Sequence, residues 1–491
     1  MDCIKNRAQR IERPIRVAQF GEGNFLRAFV DYMLDIANEK GVFDGNITII
    51  KPIPFGSLER FDRQDCLYTV VLRGRADGKT VEDQRLITSV ANTVSAPDDP
   101  DCLIRLGQLD TLQYIVSNTT EAGIALTGDE QLTDRPAASY PGKLTQLLYA
   151  RYQHFDGAKD KGLTILPVEL IEANGKKLRA CVLTLAEKWN LGEGFVEWLN
   201  TACRFCSTLV DRIVTGYPGK DAAGICEKLG YEDELLDVGE PFGLWVVECD
   251  DPEKLAEELP LHKAGLPVIF TDNQKPYRER KVRILNGAHT SSVLAAYLAG
   301  EDIVRNMMKR PLTRAYVEQV VYEELLPTVP LPKDEVRAFA EAVMERFENP
   351  FIDHALLSIS LNSVSKWRAR CLPGLKDNVK ANGKLPSCLS FSLAALIAFY
   401  TPAEKGDGCL TGMRNGEAYT IRDDQPILDF FWENKDVTFE KDFVSRLLAR
   451  EDFWGENLND IPGMTDRVAD CLNLIKTEGM EKAIACATEG K

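Results

Sequence analysis

The chain has 491 residues, 44% of them apolar and 27% charged, with a formal net charge of −16. That length suits two or three domains with sizeable cores, and the acidic balance argues against a nucleic-acid partner and against docking on an anionic membrane. No apolar run approaches the ~20 residues of a membrane span, and the opening MDCIKNRAQRIERP has no signal-peptide core, so a cytoplasmic protein with its thirteen cysteines as free thiols is expected. Nothing in the sequence speaks to oligomeric state, a monomer being one option among others.

Residues 15–20, IRVAQF, read as a strand, followed by Gly21-Glu22-Gly23, a helical pattern over 24–37 and a second strand at 47–50. This is βαβ spacing with a glycine turn, where backbone N–H groups and a helix N-terminus can receive a dinucleotide pyrophosphate. Phe20, Gly21, Gly23, Asn24 and Phe25 are the candidate cofactor contacts, although Leu26 stands where the generic fingerprint has its third glycine. An acidic residue usually follows the second strand of an NAD site, but here Lys51-Pro52 stands there. A lysine at that place suits the 2′-phosphate of NADP, so the residues alone leave the cofactor open.

Residues 86–94 and 114–116 read as further strands, the latter breaking into Ser117-Asn118-Thr119-Thr120. Asn118 and Thr119 are candidate contacts at the carboxyl edge of a parallel sheet, and the same residues read equally well as a plain turn. A helix over 140–152, a strand over 164–169 and an Asn174-Gly175 turn come next. Cys203 and Cys206 form the one close cysteine pair. No second pair or nearby histidine accompanies it, so free thiols and no metal are expected. Asp211-Arg212 reads as structural, and Phe242 and Trp245 as core residues of an aromatic strand.

From about residue 264 the composition turns helical. After a short strand at 267–270, a helix opening near Pro276 carries Lys281, Asn286 and His289. On an α-helix these lie at roughly 0°, 140° and 80°, on one broad face. An amine, an amide and an imidazole together suit carbonyl reduction, in which one group delivers a proton and the others hold the developing oxyanion. Helices are expected over 312–326, 333–347, 354–370, 387–400, 426–433, 439–450 and 465–479, with a hairpin at Arg414-Asn415-Gly416. In 354–370, Lys366, Arg368 and Arg370 crowd around Trp367. They are either a helix end compensating its dipole or a clamp for a carboxylate. Lys366 and Arg370, four apart, share a face. The fold class is therefore α/β: a Rossmann-like doubly wound domain over 1–275, then a mainly helical domain over 276–491.

These motifs resemble the mannitol dehydrogenase family of polyol-specific long-chain dehydrogenases. Lys281, Asn286 and His289 match its K-x-x-x-x-N-x-x-H helix, and GEGNFLRAF matches its G-x-G-x-F-x-R-A turn. Val210-Asp211-Arg212-Ile213 and Glu240-Pro241-Phe242 with Trp245 are similar to its V-D-R-I and E-P-F-x-x-W segments. The family's C-D-N strand end, whose Asn helps hold the oxyanion, is replaced by Val168-Glu169-Leu170. The variant PVELIEANG, like the S-K-W-R-x-R knot, resembles the uronate-reducing branch. The resemblance implies a metal-independent, NAD-dependent reduction of a keto-hexuronate to an aldonate. Lys281 is then the general acid/base, with Asn286 and His289 on the reacting oxygen. Glu169, Lys366, Arg368 and Arg370 stand as substrate contacts. A sibling acting on fructuronate or a neutral polyol, and a non-catalytic dinucleotide-binding regulator, are the alternatives.

Overall fold

The computed structural model describes residues 1–120 and 122–490. Two compact units emerge: Met1–Gly74 with Val81–Gln274, and Arg75–Thr80 with Lys275–Lys491.

The first unit is organised by a six-stranded parallel sheet. Its spatial order is Val90–Ser95, Asn46–Lys51, Ile15–Phe20, Tyr114–Ser117, Thr164–Pro167, Arg204–Phe205. Counted along the chain, that is the 3-2-1-4-5-6 order of a doubly wound dinucleotide fold. Residues 46–51, 114–117 and 164–167 are buried throughout, as strands covered on both faces must be. One face packs on Phe29, Met33, Tyr68 and Trp245, and the other on Leu144, Leu147, Phe195 and Trp198. The order reverses between Ile15–Phe20 and Tyr114–Ser117, where Phe20 pairs with Ser117. The carboxyl ends of those two strands are where such sheets bind ligands. A second, three-stranded sheet joins Ser207–Asp211, Leu244–Glu248 and Val268–Thr271.

The second unit is mostly helical. The apolar helix Ser387–Tyr400 is buried along most of its length, and the Glu324 carboxylate caps its start by accepting the amides of Cys388 and Leu389, both at 2.7 Å. Strands Cys409–Arg414 and Glu417–Ile421 pair across Asn415 and Gly416. Both turn residues have positive φ, +53° and +87°, the geometry for which an Asn-Gly hairpin turn is suited.

Three expectations need correction. The single strand over 86–94 is two strands, Lys79–Ile87 and Val90–Ser95, broken where the Thr88 amide and hydroxyl turn to the Asp35 carboxylate at 2.8 and 3.0 Å. The single helix over 354–370 is Leu356–Ile359 and Ser363–Arg370, divided by Asn362 in the left-handed region at φ +53°. Finally, the helices expected over 24–37, from Pro276 and over 312–326 each contain a π-helical turn: Arg27–Asp31, Lys281–Asn286 and Gln319–Leu325. A further helix, Met480–Thr488, follows the last one expected.

Candidate active site

In the first unit, the glycine turn is shaped by close approach. Gly21 has φ +121°, and a Cβ there would stand 3.2 Å from the Asn118 carbonyl oxygen. Its amide donates to Ile50 and that of Asn118 to Phe20, so the turn and the neighbouring strand end are tied together. Gly23 caps the helix that follows, and a Cβ on it would meet nothing within 4 Å. An open approach to amides at a helix N-terminus fits a dinucleotide pyrophosphate. The Phe20 ring is core, packed on Tyr140 at 5.0 Å, so only its backbone faces the turn. Phe25 stacks on Phe29 at 5.0 Å, and the Asn24 carboxamide oxygen accepts a hydrogen bond from Arg27. Lys51 is buried at the end of its strand. Its ammonium donates to the Gly56 carbonyl at 3.3 Å and lies 3.7 Å from Asp98.

Glu169 is 2% exposed, and its carboxylate faces inward. It accepts from the Ser117 hydroxyl at 3.1 Å and from the Thr119 amide and hydroxyl at 3.0 and 3.1 Å. Burial raises its pKa against these donors. Glu169, in the place of the family's Asp, thus braces the strand end that carries Asn118 and Thr119, while Leu170, in the place of its Asn, is 66% exposed. Arg212 is also a brace. Its guanidinium donates to the carbonyls of Phe242, Ala28 and Pro241 at 2.9, 2.7 and 3.3 Å.

In the second unit, residues 275–298 form one continuous helical stretch: Lys275–Arg280, the π-turn Lys281–Asn286, then Gly287–Leu298. The π-turn changes the expected geometry. In an i→i+5 ladder, residues five apart lie closer to one face than in an α-helix, so Lys281 and Asn286 diverge by less than about 140°. His289 follows Asn286 by three and shares its face in the α-helix. The adjacent arginines are committed elsewhere: Arg280 pairs with Glu335 at 2.5 Å over the Phe339 ring, and Arg283 pairs with Asp377 at 2.6 Å.

His289 stacks on Phe347 at 4.2 Å and meets the His354 ring edge-on at 5.6 Å. Its Nε2 is buried and has no hydrogen-bond partner among the described residues. Burial holds the imidazole well below its ordinary pKa, assisted by the positive charges of His354, Arg346, Arg370 and Lys366. A neutral ring keeps one N–H to donate and one nitrogen to accept.

The basic knot divides. Lys366 and Arg370 lie on the face turned to His289, whereas Arg368 is exposed and donates to the Phe453 carbonyl at 3.3 Å. Trp367, fully buried, pins the helix through its indole N–H to Ser392 at 2.8 Å and an edge contact with Trp454 at 5.7 Å. Lys366 donates to the Ile359 carbonyl at 3.0 Å and Arg370 to the Thr290 hydroxyl at 3.3 Å. Among the described residues, no ion pair within 4 Å involves either cation. Burial depresses both pKa values, and in Lys366 the neighbouring Arg370 adds to it. Arg346 and His354 complete this surround. Neither stands in a motif, though the scarcity of histidine, four in the chain, makes His354 findable.

Comparison with known proteins agrees over nearly the whole chain. The mannitol dehydrogenase Rossmann domain matches residues 15–263, and the mannitol dehydrogenase C-terminal domain matches 273–476. Altronate oxidoreductases of Shigella flexneri and Escherichia coli (strain K12) are each 46% identical over 477 residues, covering 96% of both chains. Two solved structures share the fold. Pseudomonas fluorescens mannitol 2-dehydrogenase, in a ternary complex with NAD and D-mannitol, has a TM-score of 0.64 at 21% identity, covering 98% of this chain and 95% of its own. A D-sorbitol dehydrogenase in substrate-free form has a TM-score of 0.76 at 19% identity, covering 96% and 95%. The chain belongs to the mannitol dehydrogenase family of oxidoreductases.

Proposed function

We propose that this protein reduces a keto-hexuronate, tagaturonate, to the aldonate altronate with NADH, and runs the reverse oxidation when product and NAD accumulate. The observation that carries the reading is the pair Lys366 and Arg370. They are cations withdrawn from water beside His289 with no carboxylate in ion-pair range among the described residues. A site that holds two cations without an ion-pair partner among the described residues, with Asp423 acting on Lys366 only from a distance, fits a substrate that brings its own carboxylate. A neutral polyol gives those cations nothing to pair with. Identity of 46% to altronate oxidoreductases supports the same substrate.

The nicotinamide, when bound, supplies the hydride to the keto carbon. Lys281 then gives its proton to the carbonyl oxygen, and takes it back in the oxidation. Asn286 donates from its carboxamide to that oxygen, and the neutral His289 ring donates its N–H, so charge developing on the oxygen meets fixed donors. Lys366 and Arg370 hold the carboxylate and fix which carbonyl is presented. In the first unit, the amides following Gly23 would receive the pyrophosphate, and the strand end braced by Glu169 would present Asn118 and Thr119 to the ribose. Lys51 supports NAD over NADP, because its ammonium is already engaged by Gly56 and Asp98.

Progress curves with tagaturonate, fructuronate and a neutral ketose, each with NADH and NADPH, test this reading. Fastest turnover on tagaturonate with NADH is expected. Preference for the neutral ketose overturns the carboxylate site, and no oxidation of either cofactor by any of the three overturns catalysis.

A further inference from the structure

The second sheet of the first unit places two cysteines face to face. Strands Ser207–Asp211 and Leu244–Glu248 run antiparallel, with Ser207 opposite Glu248. The next facing positions are Cys206 and Cys249. The Cys206 amide donates outward to Ile165 at 2.9 Å and the Cys249 amide outward to Thr271 at 3.0 Å. Neither is spent on the other, which makes this a non-hydrogen-bonded pair, the register whose Cα atoms approach to about 4.5 Å. That separation falls within the roughly 4.4–6.8 Å a disulfide spans. The two thiols are near enough to influence each other's ionisation.

Access is provided from one side. Cys206 is fully buried, but Cys249 lines a cavity of about 400 Å³, with Lys176, Arg179, Arg204 and Asp272 also on its walls. The neighbouring Cys206 thiol, with the Arg204 guanidinium nearby, holds Cys249 below the usual thiol range. Cys206 is pushed up in return. The pair therefore has one sulfur in a residue that is 7% exposed at a cavity wall and a second, fully buried sulfur behind it.

We propose that Cys206 and Cys249 are a modification site, closed to a reversible disulfide by a hydroperoxide. The Cys249 thiolate attacks one peroxide oxygen, and the O–O bond breaks to release water or an alcohol. The sulfenic acid formed at Cys249 is attacked by the Cys206 sulfur. The S–O bond breaks and water leaves, carrying the Cys206 proton. Two thiols lose two electrons and two protons, and the hydroperoxide is reduced by two electrons. The neighbouring Cys203 offers the rival linkage to Cys206, at a spacing familiar from redox motifs.

The test is peptide mapping of the full-length protein after brief treatment with hydrogen peroxide and alkylation of the remaining thiols. The expected result is a fall from thirteen free thiols to eleven, with the link between Cys206 and Cys249 and full recovery under dithiothreitol. Cys249→Ser should abolish the link, and Cys203→Ser should leave it intact. A Cys203–Cys206 link, sulfinic acid at Cys249 without any link, or retention of both thiols while exposed thiols oxidise would each overturn the proposal. Mapping of the unsubstituted protein decides even where a variant folds poorly.

Discussion

Arg212 in the first unit and Arg370 in the second are both guanidiniums drawn away from water, and their surroundings differ in kind. Arg212 finds three main-chain carbonyls, and burial lowers its pKa to about 10 while its donors stay satisfied. Arg370 finds one hydroxyl at 3.3 Å and, within its own helix, Lys366 as a like charge four residues away. The same contrast separates Glu169, with three donors on its two oxygens, from His289, whose buried Nε2 has none among the described residues. A buried polar group that is fully paired stabilises and positions. One left short is costly, about 1–3 kcal/mol, and persists where a ligand completes it. By that rule Arg212 and Glu169 act as braces within the first unit, and Arg370 and His289 are the groups that a ligand would complete.

The largest effect should come from the π-turn. Lys281→Ala should lower kcat by about 10²- to 10⁴-fold, the usual size of a lost acid–base group, with the dissociation constant of NADH unchanged. Loss of NADH binding with kcat preserved would move Lys281 out of the reacting centre. Next come the cations. Lys366→Ala should lower kcat/KM for tagaturonate by roughly ten- to a hundredfold. Arg368→Ala, on the opposite face, should change it less than about twofold, because surface substitutions of this kind are usually worth within 0.5 kcal/mol.

Arg212→Lys should behave in the other way. It loses the fork that serves three carbonyls and should destabilise the first unit by about 1–3 kcal/mol, read by chemical denaturation, with the ratio of tagaturonate to neutral-ketose activity unchanged. A changed ratio would mean that Arg212 is not scaffold.

The smallest effect concerns pH. Asp31 and Asp237 are both buried near Arg27, and burial pushes each up to about 7 from an ordinary 3.8. The folded protein therefore binds more protons than the unfolded chain between those values. The stability this gives is fully present below about pH 4 and is lost as pH rises through about 7. Asp237→Asn, which mimics the protonated form, should flatten the decline in melting temperature between pH 5 and 8. An unchanged slope would show that Asp237 does not titrate there.

Much of this was legible in the sequence, and the misses share a cause. Gly21 announces itself because only a residue without Cβ suits the turn it makes, and Gly23 keeps the approach to the helix start open. The split of the basic knot follows from helical period alone, since Lys366 and Arg370 are four apart and Arg368 lies between them. The π-turn at Lys281–Asn286 has no compositional mark, because an i→i+5 ladder differs from the α-helix in backbone path and not in residue preference. The closer approach of Lys281 and Asn286 to one face was therefore not foreseen. Asn362 broke an expected helix with a left-handed backbone that asparagine tolerates but does not advertise. The facing of Cys206 and Cys249 was hidden for a different reason: strand register across 43 residues is set by packing and leaves no mark in local spacing.

The central claim is that the second unit holds its cations for a substrate carboxylate. The most direct measurement is the ratio of kcat/KM for tagaturonate to that for a neutral ketose of equal length, in the unsubstituted enzyme and in Arg370→Ala. The account predicts a fall in this ratio of at least about tenfold, with activity on the neutral ketose level or higher, as expected for the loss of one charge-assisted contact. An unchanged ratio, with both activities falling together, would contradict it and place the carboxylate elsewhere.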